Sequence, residues 1–261
     1  MRLLLLLGAG VLLVLGIVGS GAFAAGPETC SGTLAAGTHG SVVANGTCSV
    51  APLANVTING DLTLADGAVF NALFSPGSVH VTGNVKVGQG ALLGLGYGAK
   101  TVVVDGNIQA SKPLSVYLGG ATVHGNVVSN GGGTAARFYN FPIKDNTIDG
   151  NLTIHGWQGG WWGAVANTVG GNVDVANNGS VVHPTDDAAC MASGTFPNGC
   201  PATPGADPDS SEVQSRGTIN PQHISGNLIC HKNAPAAQIN PGDGGAANIV
   251  DGNKIGECAG L

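Results

Sequence analysis

The sequence predicts an all-β chain wound as a single-stranded β-solenoid of about eight rungs, and three observations predict it. One short phrase recurs eight times: an apolar residue, a spacer, Gly-Asn or Gly-Asp, then usually another apolar residue. It runs from Ile58-Asn59-Gly60-Asp61-Leu62 through Val104-Asp105-Gly106-Asn107-Ile108 and Ile148-Asp149-Gly150-Asn151-Leu152 to a degenerate Val250-Asp251-Gly252-Asn253-Lys254. The glycines of the copies stand at 60, 83, 106, 125, 150, 171, 226 and 252, giving steps of 23, 23, 19, 25, 21, 55 and 26. A period of that size is one coil, whose apolar face is buried only by stacking on its neighbours. Within each copy the apolar residues alternate with period two, as at Ile148, Leu152 and Ile154, so each coil is made of strands. The 45 glycines would each cost a helix about 1 kcal/mol relative to alanine.

The N-terminus reads as an export signal over residues 1–24. Arg2 is a minimal basic region, Leu3 to Val18 an apolar run, and Ala22-Phe23-Ala24 a small-x-small cleavage site. The apolar run is a little short for a membrane span, and Gly19-Ser20-Gly21 breaks it. The expected mature chain is exported and free of the membrane. Residues 25–55 are expected to form an N-terminal cap, since an end coil exposes strand edge and core. The solenoid is placed at 56–261. The one long step carries an insertion at 183–217, where Pro184, Pro197, Pro201, Pro204 and Pro208 exclude a central strand. Residues 249–261 are expected to close the far end, because Lys254 stands where other copies place an apolar residue.

Six cysteines in an exported chain point to disulfides. Pairing of neighbours, Cys30 with Cys48, Cys190 with Cys200 and Cys230 with Cys258, would pin the regions where the repeat is weak. Zinc is the alternative, and the spacings do not resemble a structural zinc site; no metal or cofactor is expected. The recurrent Gly-Asn pair is either a bend between strands or an in-strand pair with glycine inward. In both cases Asp61, Asn84, Asn107, Asn126, Asn151 and Asn172 stack about 4.8 Å apart as a hydrogen-bonded ladder.

Charged residues make up only 9% of the chain and the net charge is −6, which argues against nucleic acid as a partner. Two places remain for chemistry. The position before each glycine puts Asp105, His124 and Asp149 on three neighbouring rungs, two carboxylates flanking an imidazole that could shuttle protons. The competing reading is that Asp and Asn before Gly are ordinary turn residues. The second place is His155-Gly156-Trp157-Gln158-Gly159-Gly160-Trp161-Trp162, which holds all three tryptophans. On a flexible loop, Trp157, Trp161 and Trp162 could stack on a sugar or anchor a partner; alternatively they pack with Phe138, Tyr139 and Phe141.

The repeats resemble the right-handed parallel β-helix of the pectin-lyase-like superfamily in pitch and in the asparagine ladder. Asn167-Thr168-Val169-Gly170-Gly171-Asn172-Val173-Asp174-Val175 looks like repeats in exported actinobacterial proteins of unknown function. The ending Gly226-Asn227-Leu228-Ile229-Cys230 with Gly252-Asn253-Lys254-Ile255-Gly256-Glu257-Cys258 is similar to the paired-cysteine ending of that group. The resemblance implies a right-handed solenoid and an exported life, and carries no activity over. The expected function is a non-enzymatic, secreted or cell-surface module that displays its tryptophans to an extracellular polysaccharide or cell-wall component. A polysaccharide lyase or glycoside hydrolase using Asp105, His124 and Asp149 is the alternative.

Overall fold

The computed structural model describes residues 26–74, 77–98, 101–181, 196–201 and 210–261. The expected export signal and Cys190 lie outside these residues, as does most of the proline-rich insertion. Three stacks of strands form the walls of a β-solenoid, with ten strands in the first sheet and nine in each of the others. A coil takes one strand from each sheet in turn, as Leu62–Leu64, Val69–Leu73 and Ser78–Val81 do. Eight coils are parallel throughout. In the ninth, Gly245–Ala246 lies antiparallel on Ser211–Arg216, and Lys254–Gly256 then adds a last strand to the first sheet.

The two-residue alternation read from the repeats is the inside–outside alternation of these walls. In the first sheet Leu62, Val85, Ile108, Val127, Leu152, Val173 and Leu228 are in register on successive coils, and all are buried. Burial of each such side chain contributes roughly 1.5–3 kcal/mol. Lys254 continues this inward column on the last coil, where its ammonium donates to the Leu261 carbonyl. A lysine thus takes the inward position on the last strand of this sheet.

The Gly-Asn pairs lie at the bend between the third sheet and the first, which settles the choice left open by the sequence. The ladder is continuous. Each amide or carboxylate Oδ1 accepts the backbone N–H of its counterpart one coil on, from Asn84 on Asp61 at 2.8 Å to Asn253 on Asn227 at 2.9 Å. It therefore runs two coils beyond the expected Asn172, to Asn227 and Asn253. The glycine is required by the same stacking. A Cβ on Gly125 would lie 2.6 Å from the Gly106 carbonyl and 2.7 Å from the Asn107 Oδ1 below it.

Two further ladders fill the other corners, and both are buried. Asn146, Asn167, Gln222 and Asn248 join at the bend from the second sheet to the third; Asn178 and Asn233 lead to Glu257 at the bend from the first to the second. Asn146, Asn167, Asn178 and Asn233 each follow a residue held at positive φ, Asp145, Ala166, Asn177 or Lys232, so at these corners a left-handed residue precedes a stacking amide.

Two expectations are corrected. Residues expected to form a separate cap make two short coils on the same three sheets, Glu28–Cys30 to Gly37–His39 and Val42–Ala44 to Asn55–Ile58. They lack the Gly-Asn phrase because the ladder starts at Asp61, whose backbone N–H is taken by the Ser41 hydroxyl. The expected insertion also extends too far. Ser211–Arg216 is the second-sheet strand of the eighth coil, with Val213 inward against Ala164. Cys30 is bonded to Cys48 and Cys230 to Cys258, tying the first coil to the second and the last coil to its closing turn. Cys200 is also disulfide-bonded.

Candidate functional site

The row read before the glycines is assembled on the outside of the third-sheet bend. His124 Nδ1 lies 2.7 Å from Asp149 Oδ2, and the hydrogen bond it donates to Asp149 raises the imidazole pKa above its ordinary value. Asp105 turns the other way and takes His80 Nε2 at 2.9 Å. The three candidates therefore split between two ion pairs. Similar pairs recur along the rod: His39 with Glu28 at 2.7 Å, His155 with Asp174 at 3.0 Å and His223 with Asp251 at 3.1 Å. None of the cavities described below includes Asp105, His124 or Asp149. Among the described residues, no three His, Cys, Asp or Glu side chains are grouped to hold a metal ion. Exposed ion pairs between some neighbouring coils are what this row provides.

The tryptophans are not displayed on a loop, and this overturns the expectation for Trp157 and Trp162. Both have 0% of their surface exposed. Trp162 faces inward on the second-sheet strand Trp162–Val165, in register with Phe141, and Trp157 packs on Phe141 with ring centroids 5.4 Å apart. The Trp157 indole N–H donates to the Leu114 carbonyl at 3.4 Å, and its backbone N–H to Asn178 Oδ1 at 3.0 Å. The surrounding glycines make room for rings rather than flexibility. A Cβ on Gly159 would collide with the Trp157 ring, one on Gly160 with Phe138, and one on Gly163 with Trp161. Trp161 alone is partly open, lying across the outside of the second sheet with the Lys144 ammonium 4.2 Å from its ring centroid.

The outer face of the second sheet is largely covered by the chain itself. Phe196, at the described end of the insertion, packs on Tyr117 at 5.1 Å, and Tyr117 on Tyr97 at 6.4 Å. Cys200–Pro201 pairs antiparallel with Arg137–Phe138, and the Arg137 guanidinium donates to the Gly199 carbonyl at 2.7 Å. Beneath the next coils lies Glu212, buried with only 2% exposure, its pKa raised by burial despite hydrogen bonding from Trp161 and the nearby Lys144 charge. Burial correspondingly lowers the pKa of Lys144, against the opposing pull of Glu212.

The open concavity is elsewhere, on the first sheet, where no candidate had been placed. Thr63, Lys86, Gln109 and Val128 stand in register on four successive coils and form its floor. Asp66, Gly88, Ser111 and Asn130, at the strand ends, form its wall. The groove has a volume of about 660 Å³. Around the corner a second hollow of about 390 Å³ continues from the adjoining residues Gln89, Lys112 and Gly131, where glycines leave the backbone bare. The Lys86 ammonium is held by Asp61 at 2.6 Å, and this hydrogen bond, with one from the Asn84 backbone, lowers the Asp61 pKa. Lys112 has no ion-pair partner among the described residues. The groove thus presents more apolar than polar surface, with Thr63, Asp66, Lys86, Gln109, Ser111 and Asn130 supplying its polar groups. Sequence could have found it only by aligning the residue two after each repeat Asn or Asp, which gives Thr63, Lys86, Gln109 and Val128.

No protein-family model, curated protein or solved structure matches the chain. Of the expected resemblance, the parallel β-solenoid is the part that the structure shows.

Proposed function

We propose that the protein is an exported, rod-shaped binding module that holds a stretch of extended polysaccharide along the outer face of its first sheet. The observation that carries this reading is the groove crossing four coils, with Thr63, Lys86 and Gln109 presented on three of them and Val128 on the fourth. Its volume falls in the range of small-molecule sites. The coils are about 4.8 Å apart, a length similar to the advance of one sugar ring in an extended glycan. Successive sugars would therefore meet successive Thr, Lys, Gln and Val positions. With no aromatic side chain in its lining, the groove would bind through hydrogen bonds to Thr63, Lys86, Gln109, Ser111 and Asn130 together with apolar contact, and affinity would grow with ligand length until four coils are occupied. The bonded pairs Cys30–Cys48 and Cys230–Cys258 are compatible with an oxidising, extracellular setting.

The test is retention of the purified protein by a panel of insoluble and gel-embedded polysaccharides, followed by titration with oligosaccharides of increasing length. Gln109→Trp and Ser111→Trp, each filling the groove from an exposed position, should abolish retention while leaving the circular dichroism spectrum unchanged. Retention that survives both substitutions would remove the groove as the binding site.

A further inference from the structure

In the sixth and seventh coils a single residue turns the corner from the second sheet to the third: Asp145 between Lys144 and Asn146, and Ala166 between Val165 and Asn167. The eighth coil begins and ends this corner in register, with Gln214 on Val165 and the Gln222 Oε1 accepting the Asn167 amide at 3.2 Å. Between them it places seven residues, 215–221. The stack does not require this excursion, yet it is built to a definite shape. The Arg216 backbone N–H donates to the Asn220 carbonyl at 2.9 Å, closing a short hairpin in which Gly217 takes φ 61°. The Ser215 hydroxyl donates to the Ala247 carbonyl and accepts the Gln222 N–H, both at 2.8 Å. Ile219 is 90% exposed, so core packing does not explain the hairpin. What the hairpin does create is a hollow of about 360 Å³ against the third wall. Thr147 and Thr168, exposed and in register, line it from the wall, and Ile219, Asn220 and Pro221 line it from the hairpin. Arg216 Nη1 lies 2.9 Å from Asp145 Oδ2, two coils away. Their opposite charges are the only ones in the lining.

We propose that this hollow is a second binding site and that it takes a single neutral hexose unit. A sugar ring offers neighbouring hydroxyls that both donate and accept, and the lining matches both roles. The Asp145 carboxylate accepts, while the Arg216 guanidinium has five N–H donors, so those not taken by Asp145 are left for a ligand. The Thr147 and Thr168 hydroxyls and the Asn220 amide supply groups of both kinds. Ile219 and Pro221 offer apolar surface to the C–H face of the ring. Charge sets the selectivity. A carboxylate on the ligand would meet Asp145 and an ammonium would meet Arg216, so either would compete with the existing pair, whereas a neutral polyol leaves it whole. The volume stands at the small end of the range for small-molecule sites, which suits one ring rather than a chain. The hollow lies on a different wall from the first-sheet groove, and neither site depends on the other.

The experiment follows the backbone amides of the whole chain by NMR during titration with D-glucose, D-galactose and D-mannose to about 50 mM, which reaches sites of millimolar Kd. D-glucuronate and D-glucosamine in its ammonium form serve as charged counterparts. At least one neutral hexose should give saturable shifts at the Thr147, Thr168 and Asn220 amides, and both charged sugars should bind about tenfold more weakly or worse. Thr168→Trp, which fills the hollow from an exposed position, should remove the shifts at Thr147 and Asn220. Gln109→Trp, in the first-sheet groove, should leave them unchanged, so failure of that groove is read separately. Arg216→Gln leaves Asp145 unpaired and should turn the preference toward glucosamine, and Asp145→Asn should turn it toward glucuronate; a pair with only a structural role would produce neither change. The site is refuted by the absence of saturable shifts with all three hexoses, by wild-type binding in Thr168→Trp, or by charged sugars binding as well as neutral ones. Unaltered preference in both charge variants would equally overturn the assignment of the pair as the recognition element.

Discussion

Replacing Asn167 by alanine should cost this fold more than the loss of any surface pair, and the structure gives the magnitude. Asn167 is fully buried in the ladder between the second and third sheets. Its Oδ1 accepts the Asn146 backbone N–H at 3.1 Å and the Asn146 side-chain amide at 2.9 Å. Its own amide donates to the Ile143 carbonyl at 2.8 Å and to Gln222 Oε1 at 3.2 Å. Alanine leaves two donors and two acceptors facing a dry cavity. A buried group deprived of its partner costs about 1–3 kcal/mol, and relaxation among four neighbours makes the total less than additive. We expect Asn167→Ala to destabilise by roughly 3–5 kcal/mol. Asn126→Ala, in the half-buried ladder at the Gly-Asn bends, should cost about 1–2 kcal/mol because water can reach the groups it abandons. Urea unfolding with the slope held in common would measure the difference, and exchange of the Asn146 amide would locate it. Equal losses for the two variants, or a loss below about 1 kcal/mol for Asn167→Ala, would refute the claim that the buried ladders hold the corners.

Three other outcomes follow from the same geometry. Trp157→Ala should destabilise by about 3–5 kcal/mol without changing polysaccharide retention, and selective loss of retention in a folded Trp157→Ala protein would restore the tryptophans as a binding element. Gly125→Ala pushes a methyl group to 2.6 Å from the Gly106 carbonyl, so it should lower the urea midpoint by the equivalent of roughly 1–3 kcal/mol; an unchanged midpoint would show that the bend can open. His39 and His124 both have folded pKa values above the unfolded value near 6.5; for His39 the bonds to Glu28 and the Ala35 carbonyl outweigh the lowering by burial. Their contribution to stability is therefore full below about pH 6.5 and lost as pH rises through the folded values. Asp149→Asn should bring the His124 titration, followed by NMR, down toward the ordinary histidine value, and an unmoved titration would mean that the pair is not formed in solution.

The repeat phrase made the solenoid legible because glycine and asparagine at its bend answer to one steric demand and one hydrogen bond, repeated every coil. The first two coils escaped notice because neither needs that phrase: Ser41 supplies the contact that asparagine supplies later. Ser211–Arg216 was hidden for another reason, since its outward Glu212 and Gln214 are polar and only Val213 marks the interior. The tryptophan segment misled because glycine beside an aromatic residue reads as a loose loop, whereas a ring lying flat on the backbone demands the same glycine. Asp105, His124 and Asp149 were legible as neighbours, but their division between two pairs depends on His80, two residues off the column. The groove needed three dimensions, because a floor of Thr, Lys, Gln and Val has no common residue type to betray it.

The asparagine ladder has a bearing on how such a protein can change over generations. The bond from Asn227 to Asn172 spans 55 residues of chain and measures 2.8 Å, while that from Asn126 to Asn107 spans 19 and measures 2.9 Å. The contact registers only which coil lies beneath, and is blind to how much chain was spent in reaching it. Material can therefore be added at a corner between two ladder residues without disturbing the stack, provided the chain returns in register. The proline-rich excursion before Ser211 is one such addition, and residues 196–201 of it lie against the second wall and Arg137–Phe138. By the same rule a whole coil could be duplicated or deleted as a unit, lengthening or shortening the groove by one step. The rod is in this sense a ruler whose divisions are fixed and whose length is open to selection.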